Sequence, residues 1–245
     1  MKRIRYIKPT PNPEVAPEIQ AYLQAHAAQD VEIDVVCVSS GPKHLESVYY
    51  EALAGPEILR LVREAEAEGI DGVIIGCFYD PVLNAAREIC QRMVVTGPAQ
   101  SAMQLAGMLG RSFSIIIGHD KWRLMMEENV HKHGLQHKLA SFRSVGLGVL
   151  DFHKDPKDTV VRMRQAVKLA IEEDLAEVIV LGCTMQFGFY KELQASYGVP
   201  VIDAMLAALK YAELLAEVRN QSGWYTSKIT SFKSPNPQEM LDWGL

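Results

Sequence analysis

Two Gly-Cys pairs stand at matching places in the sequence. Cys77 ends the apolar run DGVIIGC, and Cys183 ends the run EVIVLGC, 106 positions further along. A cysteine thiolate is a base and a nucleophile, and the thiol form is an acid. Two cysteines on opposite sides of a carbon atom are therefore able to remove a proton from one face and return one to the other. The pattern indicates proton-transfer chemistry by Cys77 and Cys183.

The elements that must position these cysteines alternate between strand and helix. Short apolar or β-branched runs predict strands, and most are followed by a helical pattern. The predicted strands are RIRYI (3–7), VEIDVVCVSS (31–40), DGVIIGC (71–77), MVV (93–95), FSIIIG (113–118), RSVGLGVL (143–150), EVIVLGC (177–183) and VPVID (199–203). This order predicts an α/β fold with mostly parallel sheets and helices on both faces.

The same offset of 106 positions extends beyond the cysteines. It aligns the predicted strand MVV (93–95) with VPV (199–201), and the helices after them align without a gap. The repeat predicts two Rossmann-like halves related by a pseudo-twofold axis, with the active site in the cleft between them. We expect the first half to comprise residues 1–97 plus 208–245, which hold the C-terminal helix and tail, and the second half residues 98–207.

Parallel strands bring both cysteines to the sheet edge where ligands bind in open α/β folds. A helix start predicted after each cysteine is expected to lower the thiol pKa. Backbone N–H groups near Phe78 and Thr184 are expected to hold an enolate oxygen. A planar enolate between the cysteines accepts a proton from either side, which is racemisation without a cofactor.

Other candidate residues favour a structural role. Cys37 falls inside a predicted strand and Cys90 inside a predicted helix. His131, His133 and His137 cluster at the end of a charged helix with no cysteine or carboxylate partner evident, so we predict no metal site. No GxGxxG follows a strand and no GxxxxGK[ST] occurs, so neither a nucleotide nor a flavin cofactor is expected.

The composition restricts the class of protein further. The 245 residues are 48% hydrophobic and carry a formal net charge of −5, which argues against a nucleic-acid partner. The basic start MKRIRYIKPT is too short in its apolar part for a signal peptide, and no apolar run reaches membrane-spanning length. We expect a cytoplasmic protein that acts on a small molecule, without a membrane or nucleic-acid partner.

Several segments resemble the aspartate/glutamate/hydantoin racemase family, above all its hydantoin and allantoin racemase branch. They are SGPKHLESVYYEAL (40–53), GCFYDPVLNAARE (76–88), VLGCT (180–184), VPVIDAMLAALKYAE (199–213) and TSK (226–228). The resemblance implies that Cys77 and Cys183 are the acid/base pair, and that the loop of residues 39–42 lies near the substrate. The predicted substrate contacts are Pro9, Thr10, Ser39, Gly41, Pro42, Phe78, Tyr79, Thr184 and Met185.

The sequence departs from the family pattern at informative places. KPT (8–10) replaces the usual Asn-Pro-Asn, and Phe78 and Met185 replace polar residues of the aspartate and glutamate types. Apolar neighbours disfavour a free amino acid, so the leading hypothesis is a racemase of 5-substituted hydantoins or a cyclic ureide such as allantoin. An amino-acid racemase, a cysteine-dependent cis–trans isomerase, a single-cysteine decarboxylase and a redox switch or binding module stay open. The resemblance also implies a homo-oligomer.

Overall fold

The computed structural model describes residues 1–243, except for the side chain of Leu241, and these residues form two four-stranded sheets. The first sheet has the order β2-β1-β3-β4 and the second the order β6-β5-β7-β8. The strands are β1 (Lys2–Lys8), β2 (Val31–Cys37), β3 (Gly72–Ile75), β4 (Val94–Thr96), β5 (Phe113–Ile117), β6 (Leu139–Ser144), β7 (Val178–Leu181) and β8 (Val201–Asp203). Within each sheet the paired strands are parallel. The predicted α/β fold with two related halves is confirmed.

Helices cover the faces of both sheets. They are α1 (Ala16–His26), α2 (Val48–Ala67), α3 (Leu83–Ile89), α4 (Pro98–Leu109), α5 (Arg123–Lys132), α6 (Pro156–Glu172), α7 (Tyr190–Tyr197), α8 (Ala204–Ser222) and α9 (Pro237–Asp242). In the part of the chain that the structure describes, no helix is long and apolar enough to cross a membrane.

Two elements begin elsewhere than the sequence pattern predicts. The helix predicted from about residue 56 begins at Val48, because the Ser47 hydroxyl accepts the backbone N–H of Tyr50 and caps it, and it continues through Pro56. The strand predicted over 143–150 is displaced to Leu139–Ser144. It ends there because Gly146 adopts the left-handed conformation, with φ of 70°, which turns the chain away from the sheet.

The helices that follow the last strand of each sheet cross to the other half. α4 follows β4 of the first sheet but packs against β7, whereas α8 follows β8 and packs against β3 and β4. The two helices also pack against each other. This exchange ties the halves into one core, in which Ile7 and Ile75 of the first sheet and Ile116 and Leu181 of the second belong to one cluster of buried side chains. The proposed division at 97/98 and 207/208 stays a prediction.

Candidate active site

Each of the two cysteines directly follows an interior strand of its sheet. The backbone N–H of Gly76 donates to the carbonyl of Ile7 at 2.9 Å, and that of Gly182 to the carbonyl of Ile116 at 2.8 Å. These bonds extend the ladders β1–β3 and β5–β7 by one residue, so Cys77 and Cys183 are the first residues beyond them. Both thiols therefore stand at the carboxyl ends of the strands.

Close packing explains why glycine precedes each cysteine. A Cβ atom at residue 76 would overlap the Tyr6 ring, and one at residue 182 would lie 2.6 Å from Ile115 Cγ2. Any larger side chain would displace the strand end and the cysteine after it. The Gly-Cys repeat of the sequence thus reflects the same steric demand in both halves.

The two cysteines line one cavity, whose empty volume of about 730 Å³ includes its open mouth. The first half contributes Tyr6, Lys8, Pro9, Thr10, Asn12, Val15, Ile19, Lys43, His44, Leu45, Glu46, Gly76, Cys77, Phe78 and Tyr79; the second contributes Trp122, Met126, Val149, Leu150, Gly182, Cys183, Thr184 and Met185. The site therefore lies between the halves.

The structure brings some of the predicted substrate contacts together and separates others. Pro9, Thr10, Phe78, Tyr79, Thr184 and Met185 line the cavity with the cysteines. Ser39 is exposed, and its hydroxyl donates to the Glu57 carboxylate at 3.3 Å. Gly41 and Pro42 line a separate surface pocket with Tyr50. The loop reaches the cysteine cavity only through residues 43–46.

The thiol environment differs from the sequence expectation. α3 begins only at Leu83 and α7 only at Tyr190, so a turn separates each cysteine from the α-helix that follows. Cys183 is 9% exposed, and burial raises its pKa to about 12. Burial also raises the pKa of Cys77 well above the ordinary value of a thiol. The expectation that helix N-termini lower these pKa values is wrong, because desolvation is the larger effect.

Backbone N–H groups partly oppose this desolvation. The N–H of Tyr79 lowers the pKa of Cys77, and the N–H groups of Met185 and Gln186 lower that of Cys183. Such donors favour a thiolate, and they are the kind of group that stabilises an oxyanion in an acyl or enolate intermediate. That backbone N–H groups near Phe78 and Thr184 hold an enolate oxygen stays a prediction.

The turn after Cys77 is held from two sides. The Asp80 carboxylate accepts the N–H groups of Ala99 and Gln100 at 2.9 and 2.8 Å, and so caps the N-terminus of α4. The Asn129 side chain on α5 donates to the Tyr79 carbonyl at 2.6 Å. These bonds fix a turn in which Val82 adopts the left-handed conformation, with φ of 49°, a strained state for a β-branched residue.

Within residues 1–243, no group of three or more His, Cys, Asp and Glu side chains is arranged to hold a metal ion. Of the clustered histidines, His133 lies with its Nε2 atom 3.7 Å from the Asp80 carboxylate, and both side chains are buried. His133 thus packs behind the turn after Cys77.

Sequence reasoning missed Lys8 and Asn129. Lys8 lines the cavity at the end of β1 and is buried. Its signal was its place in the chain, directly after the predicted strand over residues 3–7 and directly before Pro9. Asn129 gave no signal, because it lies in a polar helix and becomes buried only through tertiary packing.

Comparison with known proteins identifies the family. The family model described as Asp/Glu/hydantoin racemase matches residues 4–212. The chain belongs to this family. The chain is 36% identical to the hydantoin racemase of Pseudomonas sp. (strain NS671) over 98% of its length and 94% of that protein. It is 35% identical to the hydantoin racemase of Paenarthrobacter aurescens over 98% of this chain and 100% of that one.

A solved structure of the same family superposes on nearly the whole molecule. The allantoin racemase from Klebsiella pneumoniae matches with a TM-score of 0.90 and 31% identity, covering 96% of this chain and 94% of that chain. The arrangement of two four-stranded parallel sheets in two halves therefore matches the fold of a solved allantoin racemase. The resemblance drawn from the sequence segments is confirmed.

Proposed function

We propose that this protein racemises 5-substituted hydantoins, or a related cyclic ureide such as allantoin, by proton transfer between Cys77 and Cys183. The observation that carries the proposal is that both cysteines, one from each half, line a single cavity. The family membership and the hydantoin and allantoin racemases that the chain resembles support the substrate class.

In the proposed reaction the thiolate of one cysteine attacks the hydrogen on ring carbon C5. The C–H bond breaks, an S–H bond forms, and the electron pair moves onto the adjacent carbonyl oxygen to give an enolate. The thiol of the other cysteine then donates its proton to the opposite face of C5, and the carbonyl re-forms. One thiol and one thiolate enter the cycle and one of each leaves it, with their positions exchanged.

The raised thiol pKa values suit a weak carbon acid. A thiolate that is poorly solvated is a stronger base than one in water, so the difference in acidity between thiol and ring carbon becomes smaller. The cost is that both cysteines rest as thiols near neutral pH. Backbone donors near each sulfur offset part of that cost when one thiol ionises.

The apolar side of the cavity bears on the ring substituent. Trp122, Met126, Val149 and Leu150, all from the second half, are apolar residues of the lining. These side chains favour an alkyl or aryl group at C5 because its burial against them removes apolar surface from water. Within the proposed substrate class we therefore expect apolar substituents to be preferred.

The test is incubation of single enantiomers of 5-benzylhydantoin and of allantoin in deuterated water. Circular dichroism would follow enantiomer interconversion, and mass spectrometry would follow deuterium at C5. We expect interconversion by the wild type and its loss, by about 10³-fold or more, in Cys77→Ser and Cys183→Ser. Cys37→Ser is the matched control, because Cys37 does not line the cavity and its thiol donates a hydrogen bond to the Asn12 carbonyl at 3.8 Å, which a serine hydroxyl can replace.

Folded protein that leaves both ring substrates unchanged would refute the substrate assignment. Aspartate and glutamate are included as parallel substrates, so that an amino-acid racemase would be recognised. Interconversion that survives in either cavity variant would refute the two-cysteine mechanism. The homo-oligomeric state and the cytoplasmic location expected from the sequence stay predictions, to be tested by light scattering and cell fractionation.

A further inference from the structure

Lys8 is a buried cation beside the proposed reaction centre. It is the last residue of β1, and the preceding residue, Ile7, is in register with Ile75 and accepts the N–H of Gly76. Lys8 therefore lies next to the chain that carries Cys77. Its residue surface is only 8% exposed, and it lines the cavity that both cysteines share.

The Lys8 ammonium has little to neutralise it. Its Nζ atom donates to the Thr10 hydroxyl at 2.6 Å, and no carboxylate of residues 1–243 forms an ion pair with it. Its neighbours on the same strand differ, since Lys2 pairs with Asp30 and Glu217, and Arg5 with Asp34 and Glu68. An ammonium has three N–H donors, so those not used by Thr10 are available to a ligand in the cavity.

A buried charge without a counter-charge is costly, and burial lowers the pKa of Lys8. The groups whose negative charge would raise that pKa are Cys37, Cys183, Glu14 and Cys77. Lys8 therefore stabilises a thiolate at either cysteine of the proposed pair when one of them ionises. Negative charge that develops on a ligand between those two sulfurs lies within reach of the same ammonium.

The equivalent place in the second half carries no charge. Ile116 is in register with Leu181 as Ile7 is with Ile75, so Ile117 is the counterpart of Lys8. Ile117 is buried, and the lining beyond it is formed by Trp122 and Met126. The pseudo-twofold repeat is therefore broken electrostatically at this position: the first half places a buried ammonium there and the second half an aliphatic side chain.

We propose that the Lys8 ammonium binds the substrate carbonyl oxygen that becomes the enolate oxygen, and stabilises the charge that develops there. The proposal rests on the proposed function and deepens it. Lys8 keeps its proton throughout: the thiolate takes the proton from C5, the electron pair moves to the oxygen held by Lys8, and the opposite thiol returns a proton to C5. The ring then faces Lys8 and the substituent faces Trp122, so both enantiomers place the same oxygen on the same cation.

The kinetic test compares Lys8→Met, which keeps the length without the charge, with Lys8→Arg, which keeps the charge. Lys121→Met is the matched control, because Lys121 is exposed, follows β5 as Lys8 ends β1, and does not line the cavity. With 5-benzylhydantoin we expect kcat of Lys8→Met to fall by about 10²-fold or more, as for loss of an oxyanion donor, with KM changed less than about threefold. Lys8→Arg should recover at least about tenfold of that loss, and Lys121→Met should match the wild type.

The binding test separates stabilisation of a ring oxyanion from an effect on the thiols. Barbiturate is a planar cyclic ureide anion with its charge on the carbonyl oxygens, and dihydrouracil is a neutral ring of similar size. By calorimetry at pH 7, where both thiols are protonated, we expect the wild type to bind barbiturate more tightly. Lys8→Met should weaken barbiturate binding by about 10-fold or more and leave dihydrouracil binding within about threefold.

Each contrary result has a distinct meaning. Unchanged kcat in Lys8→Met, or equal affinity of the wild type for the two rings, would overturn the proposal. The pH dependence of iodoacetamide alkylation measures the shift in thiol pKa that Lys8→Met causes. If that shift accounts for the whole loss in kcat, Lys8 acts on the thiolate and the proposal is overturned. If the wild type turned over no hydantoin, and Lys8→Met still removed the preference for barbiturate over dihydrouracil, the proposed function would be refuted. The anion-binding role of Lys8 would stand.

Discussion

The hydroxyl of Thr184, which follows Cys183, donates a 3.2 Å hydrogen bond to the carbonyl of Gly76, which precedes Cys77. The same carbonyl accepts the Tyr6 hydroxyl at 3.2 Å. The peptide before one cysteine is thus bound to the residue after the other, across the junction of the two halves. This contact constrains the spacing of the two strand ends that carry the thiols.

Thr184→Val tests the contact, because valine keeps the shape of threonine and lacks the hydroxyl. Tyr6 still satisfies the Gly76 carbonyl, so we expect the free energy of unfolding to fall by only about 1 kcal/mol. Racemisation should fall several-fold, since the two strand ends lose a constraint on their spacing. Urea denaturation and initial rates with 5-benzylhydantoin measure the two effects. Thr184→Ser, which restores the hydroxyl, should recover both, and wild-type rates in Thr184→Val would contradict the role of the bond.

Asn129→Leu tests how α5 supports the turn after Cys77. The substitution removes the donor to the Tyr79 carbonyl and leaves that buried oxygen without the 2.6 Å bond. We expect a loss of about 1–3 kcal/mol in the free energy of unfolding. We also expect a lower kcat, because the Tyr79 N–H faces the Cys77 sulfur. The exposed Asn220 on α8 gives the control Asn220→Leu, which should stay within about 0.5 kcal/mol of the wild type. Equal stabilities of the two variants would show that the bond to Tyr79 contributes nothing.

The buried thiols predict a loss of stability at alkaline pH. Cys183 has an ordinary thiol pKa of 9.0 that burial raises to about 12 in the folded protein, so the folded state keeps its proton to a higher pH than the unfolded state. This contribution to stability is fully present below about pH 9.0 and is lost as the pH rises towards 12. The slope is at most about 1.4 kcal/mol per pH unit for each thiol.

Urea denaturation of the wild type and of the double variant Cys77→Ser, Cys183→Ser, between pH 7 and 11, isolates these thiols from other groups that titrate there. We expect the wild-type curve to fall more steeply above pH 9. Parallel curves would mean that the folded protein does not raise the pKa of either thiol.

The proposed mechanism has one cysteine on each side of the ligand. It predicts that each single variant exchanges only one enantiomer, and that the two variants exchange opposite ones. In Cys77→Ser the remaining base is Cys183, so only the enantiomer whose hydrogen faces Cys183 should gain deuterium at C5, without inversion. Cys183→Ser should exchange the other enantiomer. Chiral chromatography with mass detection distinguishes them. Exchange of the same enantiomer in both variants would mean that the two sulfurs do not act on opposite faces.

The fold was predictable because its signals are local. Apolar runs such as those ending at Cys77 and Cys183 are too short for helices and too continuous for half-exposed strands, so they indicate buried parallel strands. The misplaced elements show where local signals fail. The cap at Ser47 outweighed the proline at residue 56, and the turn at Gly146 ended a strand whose apolar pattern continued.

The site was predictable at its centre and less so at its edges. A strand end is located by the strand itself, so both cysteines and their immediate neighbours were placed correctly along the chain. The loop of residues 39–42 was predicted to lie near the substrate, but the cavity is lined by the residues that follow it, 43–46. An irregular segment has no sequence period from which its path can be predicted. Asn129 and Lys8 lie far in sequence from the partners that give them a role.

By itself the sequence determined the α/β repeat, the two strand-end cysteines and the family. These follow from residue types and spacings that act over a few positions. Only the tertiary structure decided that the thiol pKa values are raised, that Lys8 is buried without a carboxylate while Lys2 is paired, and that Thr184 is bound to Gly76. Burial and electrostatic pairing depend on chain segments that are distant in sequence, so packing alone sets the charge of each side of the cavity.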